Sequence, residues 1–430
     1  MPAEPAVLSE SSALAALLLT LLTPLSAAGL ALINAGLNRS RSAAHAMVGS
    51  ISALAVAIIA YFAFGFSVQA PGGHTFTIGG KLWNWMGSGP FFLAGLHLND
   101  SLAALLLWQM FAVMLAALIP VASGAERWRI SASCLSSALL SAWTYPLFAH
   151  WVWGSGWLAQ LGSNYGIGRG FLDPGGAASI QAVGGLTALS IAWILGPRSG
   201  KFTADGMPTA MPGHNAVLVL FGCMLALPGW LGLNASGAVL FVGAAPLELA
   251  AVAVNTLLCA AAAVLATLSI TRVRFGKPDA SLSANGWIAG LVSSSACCHL
   301  VSPAEAVIIG LVAGALVIFS VEIFELRMGL DDPAGAISVH AVSALWGMLA
   351  LGMFGRGYAG EPGQFLAQLI GAATLVGFVL PLSYGLNYAL NRVLPLRVSP
   401  EGERQGMDLH ELGAGAYPDF VTQRDEYMRR

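Results

Sequence analysis

Residues 173–183 read DPGGAASIQAV and residues 332–342 read DPAGAISVHAV, identical at seven of eleven positions. In each copy an aspartate (Asp173, Asp332) stands where a helix N-cap is expected and a proline (Pro174, Pro333) follows at the first helical position, so both copies predict a helix start. The small residues behind them, Gly175, Gly176, Ala177 and Ala178 in one and Ala334, Gly335 and Ala336 in the other, allow helices to approach closely, a structural role that needs no ligand. Counted from the caps, Gln181 and His340 hold the same repeat position, about 12 Å along a helix.

The surrounding chain of 430 residues is 57% hydrophobic and 9% charged, whereas soluble domains carry roughly 25% charged residues. Such a chain cannot wet its own surface. A net charge of −2 leaves no global field to attract nucleic acid or acidic partners. The five cysteines, Cys134, Cys223, Cys259, Cys297 and Cys298, lie in apolar stretches without metal or disulfide spacing, and read as small buried hydrophobes. No metal and no cofactor are expected. The opening MPAEPAVLSE carries Glu4 and Glu10 and no basic residue, so the apolar run behind it reads as a retained span rather than a signal peptide.

Runs long enough to cross a hydrocarbon core of about 30 Å fall near 11–35, 43–66, 98–122, 130–151, 174–196, 214–233, 245–270, 284–301, 304–325, 335–354 and 364–391. Arg39, Arg41, Arg127, Arg129, Arg198, Lys201, Arg272, Arg274, Lys277 and Arg327 lie in loops on one side, joined by Arg392, Arg397, Arg404, Arg424, Arg429 and Arg430 of the tail. Only Lys81, Arg169 and Arg356 lie opposite. The positive-inside rule therefore puts the tail in the cytoplasm and the N-terminus outside, with an odd number of spans. The loops 67–97 and 154–172 are then external; Trp83, Trp85, Trp151 and Trp157 suit an interfacial belt there, with His150 near the outer surface.

The fifth span thus enters from outside and the tenth from the cytoplasm, the layout of transporters built from two inverted halves, about 11–196 and 214–354. A pseudo-twofold axis in the membrane plane brings Gln181 and His340 together near the bilayer centre. An ionisable group there is a functional candidate by default; Gln181 taken alone serves equally well as an interhelical hydrogen-bonding residue. No Gly-x-Ser-x-Gly elbow, HExxH or phosphate loop is present, so an enzyme is not expected.

Several stretches resemble the ammonium transporter family, in its Amt branch: GLALINAGLNR at 29–39, WQMFA at 108–112, GAERWR at 124–129, PLFAHWVWGSGWLAQLG at 146–162, both repeat copies, and the tail RVSPEGERQGMDLHELGAGAYPDF at 397–420. The resemblance implies an all-α bundle of eleven membrane helices, two inverted five-helix repeats plus a last helix at 364–391, in a transmembrane domain over 1–396. A cytoplasmic regulatory tail follows over 397–430. It also implies a homotrimer in the cell membrane with one pore per subunit, and a signalling partner of the PII type at the tail.

In that family an outer aromatic vestibule captures ammonium, paired phenyl rings gate an apolar pore, and two histidines share a hydrogen bond below. By similarity Trp153 matches the vestibule tryptophan, Asp173 the aspartate supporting it, Phe111 one gate ring (with a one-residue shift) and His340 the second pore histidine. Three positions depart: Gln181 replaces the first pore histidine, Leu233 the second gate ring, and Gly237 the vestibule serine. The loop between spans four and five carries an insertion, YGIGRG at 165–170.

A cation over the Trp153 indole recovers about 2 kcal/mol when desolvated, against several kcal/mol to strip an ion of water. The resemblance implies the family's solution to that cost, in which neutral ammonia passes and its proton is left behind. Glutamine offers both kinds of hydrogen bond but does not titrate, so Gln181 keeps a polar line while removing one proton relay. Leu233 and Gly237 are expected to weaken recognition outside. Two other functions fit these departures: an ammonium sensor that reports through the tail without conducting, and a channel for methylated amines.

Overall fold

The computed structural model describes residues 8–96, 101–355 and 362–417. Glu4, His97, Arg356, Asp419, Arg424, Arg429 and Arg430 lie outside these. Among the described residues nine helices are long and apolar enough to cross a membrane: Glu10–Leu37, Ser40–Gln69, Leu102–Ser123, Ala177–Leu195, Ala216–Val242, Pro246–Phe275, Pro303–Arg327, Ile337–Phe354 and Gln364–Val393. Two more helical segments, 130–153 and Ala280–Cys297, fill the fourth and eighth places. They are less apolar because they spend serines on neighbours: Ser136 Oγ bonds Asn387 Oδ1 at 2.6 Å, and Ser293 Oγ donates to the carbonyl of Ser343 at 2.9 Å. Buried polar groups of this kind are tolerated in a bundle when satisfied across helices.

Local chemistry sets the ends of the spans. Asn215 Oδ1 accepts from Leu218 N (2.9 Å) to start the sixth span, which runs over Ala216–Val242 and so beyond the expected 233. Asp279 does the same for Leu282 N (2.8 Å), starting the eighth span four residues before the expected 284. Ser302 and Glu305 form a reciprocal capping box before the ninth. Spans one and six cross where neither has a side chain: a Cβ added at Gly29 would lie 2.5 Å from the Gly222 carbonyl oxygen, and one at Gly222 would lie 2.6 Å from that of Gly29. This crossing holds the leading helix of one repeat against that of the other.

The connection between the second and third spans contains an antiparallel hairpin, His74–Ile78 with Lys81–Met86, where the sequence predicts a loop. Gly79 and Gly80 both adopt positive φ (58° and 74°), the geometry of a tight two-residue hairpin turn. The belt reading also changes. Trp151 and His150 are buried against protein rather than exposed at the surface: Trp151 donates Nε1–H to the Trp85 carbonyl at 2.7 Å, and His150 Nδ1 lies 3.1 and 3.0 Å from the carbonyls of Gln69 and Ala70. The hairpin packs over Trp151, and the end of the second span covers His150. The 165–172 loop is clamped by the eleventh span, where Gln364 Oε1 accepts from Arg169 N (3.0 Å) and Gln368 exchanges two bonds with the Leu172 backbone (3.0 and 2.9 Å).

Candidate functional site

The two repeat copies start alike. Asp173 Oδ2 accepts from Ala178 N (3.1 Å) and Ser179 N (2.8 Å), and Asp332 Oδ2 accepts from Ile337 N (2.7 Å). Gly176 and Gly335, one repeat position, both take positive φ (81° and 70°), which a β-carbon would strain. Each helix then opens with a π turn, Ala177–Ala182 and Ile337–Val342, seen in the i−5 bond from Gln181 N to the Gly176 carbonyl (3.1 Å). Wide turns of this kind recur at functional sites. The fifth and tenth spans touch deeper still, where a Cβ on Gly185 would meet Ala341 N at 2.4 Å.

Across this contact His340 Nδ1 lies 2.7 Å from Gln181 Oε1. Gln181 is fully buried and His340 is 5% exposed. The glutamine amide nitrogen has no hydrogen-bond partner among the described residues.

Toward the hairpin side lies an aromatic cluster. Trp153 stacks on Phe241 (centroids 4.8 Å apart, planes at 14°), and Trp108 stands edge-on to both, at 5.1 and 4.9 Å. Trp153 Nε1–H donates to the Asp173 carbonyl at 2.9 Å, so the aspartate caps the fifth span with its side chain and holds the indole with its backbone. Trp108 Nε1–H donates to the Leu233 carbonyl (3.4 Å), seating the cluster beside that buried leucine. Phe111, one helical turn from Trp108, is half-buried and has no ring partner among the described residues. Trp108 and Phe241 were passed over in the sequence; WQMF places two rings three residues apart, and the pattern cannot tell which faces Trp153.

Gly237 is not in open space. A Cβ there would stand 2.2 Å from the Pro174 carbonyl oxygen, so the sixth span presses its backbone against the start of the fifth. A serine does not fit here unless the two helices separate.

At the end of the bundle bearing the tail, buried charges join the loops. Arg198 bonds Asp331 (2.9 Å) and Glu126 (2.9 Å), Glu126 also pairs Arg39, and Arg127 Nη2 donates to the Asp331 carbonyl at 2.8 Å. Burial opposes the charge on Asp331, but Arg127 and Arg198 outweigh it and hold the carboxyl below its ordinary range. The tail docks onto this layer. Arg397 donates to the Leu195 carbonyl (2.7 Å) and to Glu403 (2.8 Å), which accepts from Ser199 N. Asp408 accepts from His45 N (2.7 Å), and Glu411 meets His45 Nε2 (2.9 Å) and Ile130 N (3.0 Å). Both Glu403 and Glu411 are held below the ordinary carboxylate value, since these donors outweigh the burial that would raise them. Among the described residues no group of three or more His, Cys, Asp or Glu is placed to hold a metal.

The family model "Ammonium Transporter Family" matches residues 14–417. Similar proteins include ammonium transporter Amt2 of Archaeoglobus fulgidus, 37% identical with 93% of this chain and 86% of that one aligned, and the ammonium transporter of Bacillus subtilis, 31% identical with 94% and 97% aligned. Among solved structures, a sensor Amt protein superposes with a TM-score of 0.85 at 26% identity, covering 93% of this chain and 98% of that one. Mep2 of Candida albicans shares the fold, with a TM-score of 0.80 at 21% identity over 97% of this chain and 92% of its own. The capped repeat helices and the polar pair they bring together are thus parts of a polytopic membrane protein that belongs to the ammonium transporter family.

Proposed function

We propose that this ammonium transporter passes its substrate as ammonia between the fifth and tenth spans, with Gln181 and His340 as the polar pair on the path. The observation carrying this reading is the 2.7 Å bond between two buried side chains at equivalent repeat positions. Ionisable groups at that depth are costly and serve transport paths in membrane proteins. The protein is a transporter and not an enzyme. Trp153, Trp108 and Phe241 form the outer vestibule that receives the cation, Asp173 orients Trp153, and Leu233 and Phe111 line the constriction between vestibule and pair. Gly237 supplies no hydroxyl to the vestibule; it lets the two helices touch.

The charge bias of the loops supports a cytoplasmic tail in a cell-membrane protein, and the resemblance of the tail to that of the family supports a spanning part over residues 1–396 and a regulatory part over 397–430. A homotrimer with PII-type signalling proteins at the tail face fits the family. A sensor reading has one observation in its favour, the likeness to a solved sensor Amt protein, and flux decides between them. Solid-supported membrane electrophysiology on reconstituted protein tests the path: Gln181→His is expected to create or enlarge an ammonium-dependent current, and His340→Ala to abolish ammonia flux. Unchanged flux and current in both variants would remove the pair from the path.

A further inference from the structure

We propose that Gln181 is a positioning residue that locks His340 in one tautomer, so that the pair admits a neutral amine and relays no proton. This rests on the pore reading above. An amide oxygen accepts hydrogen bonds and cannot donate. With Gln181 Oε1 at 2.7 Å, the Nδ1 of His340 carries the proton. It does so whether the ring is neutral or charged, because a charged ring has protons on both nitrogens. Only Nε2 exchanges. Two histidines facing one another can trade the bridging proton and reverse their polarity; an amide is neither acid nor base at any accessible pH, so here the bond has one direction.

The lock gives the site a fixed pattern. His340 Nε2 is an acceptor, and the Gln181 amide nitrogen is a buried donor without a partner. A buried donor left unpaired is expensive, and a visitor that accepts from it relieves that cost. Ammonia or methylamine satisfies the two ends in turn as it passes, its lone pair accepting from the Gln181 amide on one side of the pair and an N–H donating to His340 Nε2 on the other. Ammonium has no lone pair for Gln181, and an alkali cation has no proton for His340. For passage, an N–H bond of ammonium breaks outside, its electron pair stays on nitrogen, and the proton goes to external water. The ammonia that crosses takes a proton from internal water and leaves hydroxide.

The test uses full-length protein in lipid, with imidazole-nitrogen-labelled histidine and the His340 signals assigned by difference from His340→Asn. Solid-state nitrogen NMR is expected to show a protonated Nδ1 and a bare Nε2 through neutral pH. A protonated Nε2 with bare Nδ1, or a mixture of tautomers, would overturn the lock. In parallel, proteoliposomes given an ammonium gradient are expected to alkalinise inside without current, whereas Gln181→His and Gln181→Glu restore current. Current in the wild-type protein that scales with ammonium flux also overturns it. Absence of any flux alongside the expected spectrum would count against the transport reading alone.

Discussion

Gly237 shows how one missing side chain serves packing more than chemistry. Because a Cβ would fall 2.2 Å from the Pro174 oxygen, Gly237→Ser is expected to destabilise the fold by about 1–3 kcal/mol, the usual cost of forcing backbone apart in a packed core, and not to strengthen ammonium capture. Thermal unfolding in detergent and the ammonium concentration dependence of uptake check the two halves of that statement. Arg198 is the opposite case, a buried charge with two carboxylate partners. Arg198→Met would leave Glu126 and Asp331 buried and short of a partner, and is expected to cost about 3–5 kcal/mol, read as a lower unfolding midpoint. Trp108→Ala is expected to raise the ammonium concentration needed for half-maximal uptake, since it removes the ring that stands against both Trp153 and Phe241; Phe111→Ala, with no ring partner, should change it less.

The tail element is held mainly by carboxylates, and this fixes the sign of its pH response. Glu403 and Glu411 sit below the ordinary carboxylate value when docked. Their contribution is therefore complete above that ordinary value and is lost as pH falls through the lowered ones. The protection factors of residues 397–417, taken against the intrinsic exchange rate at each pH, are expected to fall in acid while the spans stay protected, and Glu411→Gln should shorten the range of pH over which the tail remains docked. A tail equally protected at all pH values would show that apolar contacts such as the burial of Leu396 and Met407 dominate. The hairpin element carries a different lesson. HTFTIGGKLWNWM contains the two-residue Gly-Gly turn between β-rich runs that signals a hairpin, but its aromatic content reads just as well as an interfacial belt, and the choice depends on the fourth span lying beneath it.

For the bundle entire, the sidedness deduced from basic loops makes a direct prediction. Thr77→Cys, in the exposed hairpin, should react with a membrane-impermeant thiol reagent on intact cells, and Asp205→Cys, in the exposed loop between spans five and six, only after lysis; the reverse pattern would invert the orientation. Span number and the paired caps of the fifth and tenth helices were legible in the chain because each depends on local facts: runs of apolar residues and an Asp-Pro start. The meeting of Gln181 with His340 was legible only through the repeat, since symmetry relates two segments that no local rule connects. Side-chain direction was not. Whether Trp108 or Phe111 faces Trp153, whether His150 is buried, and why position 237 carries no side chain all depend on which helix crosses which and how closely. Those distances arise from packing between residues far apart in the chain, and a linear pattern carries no record of them.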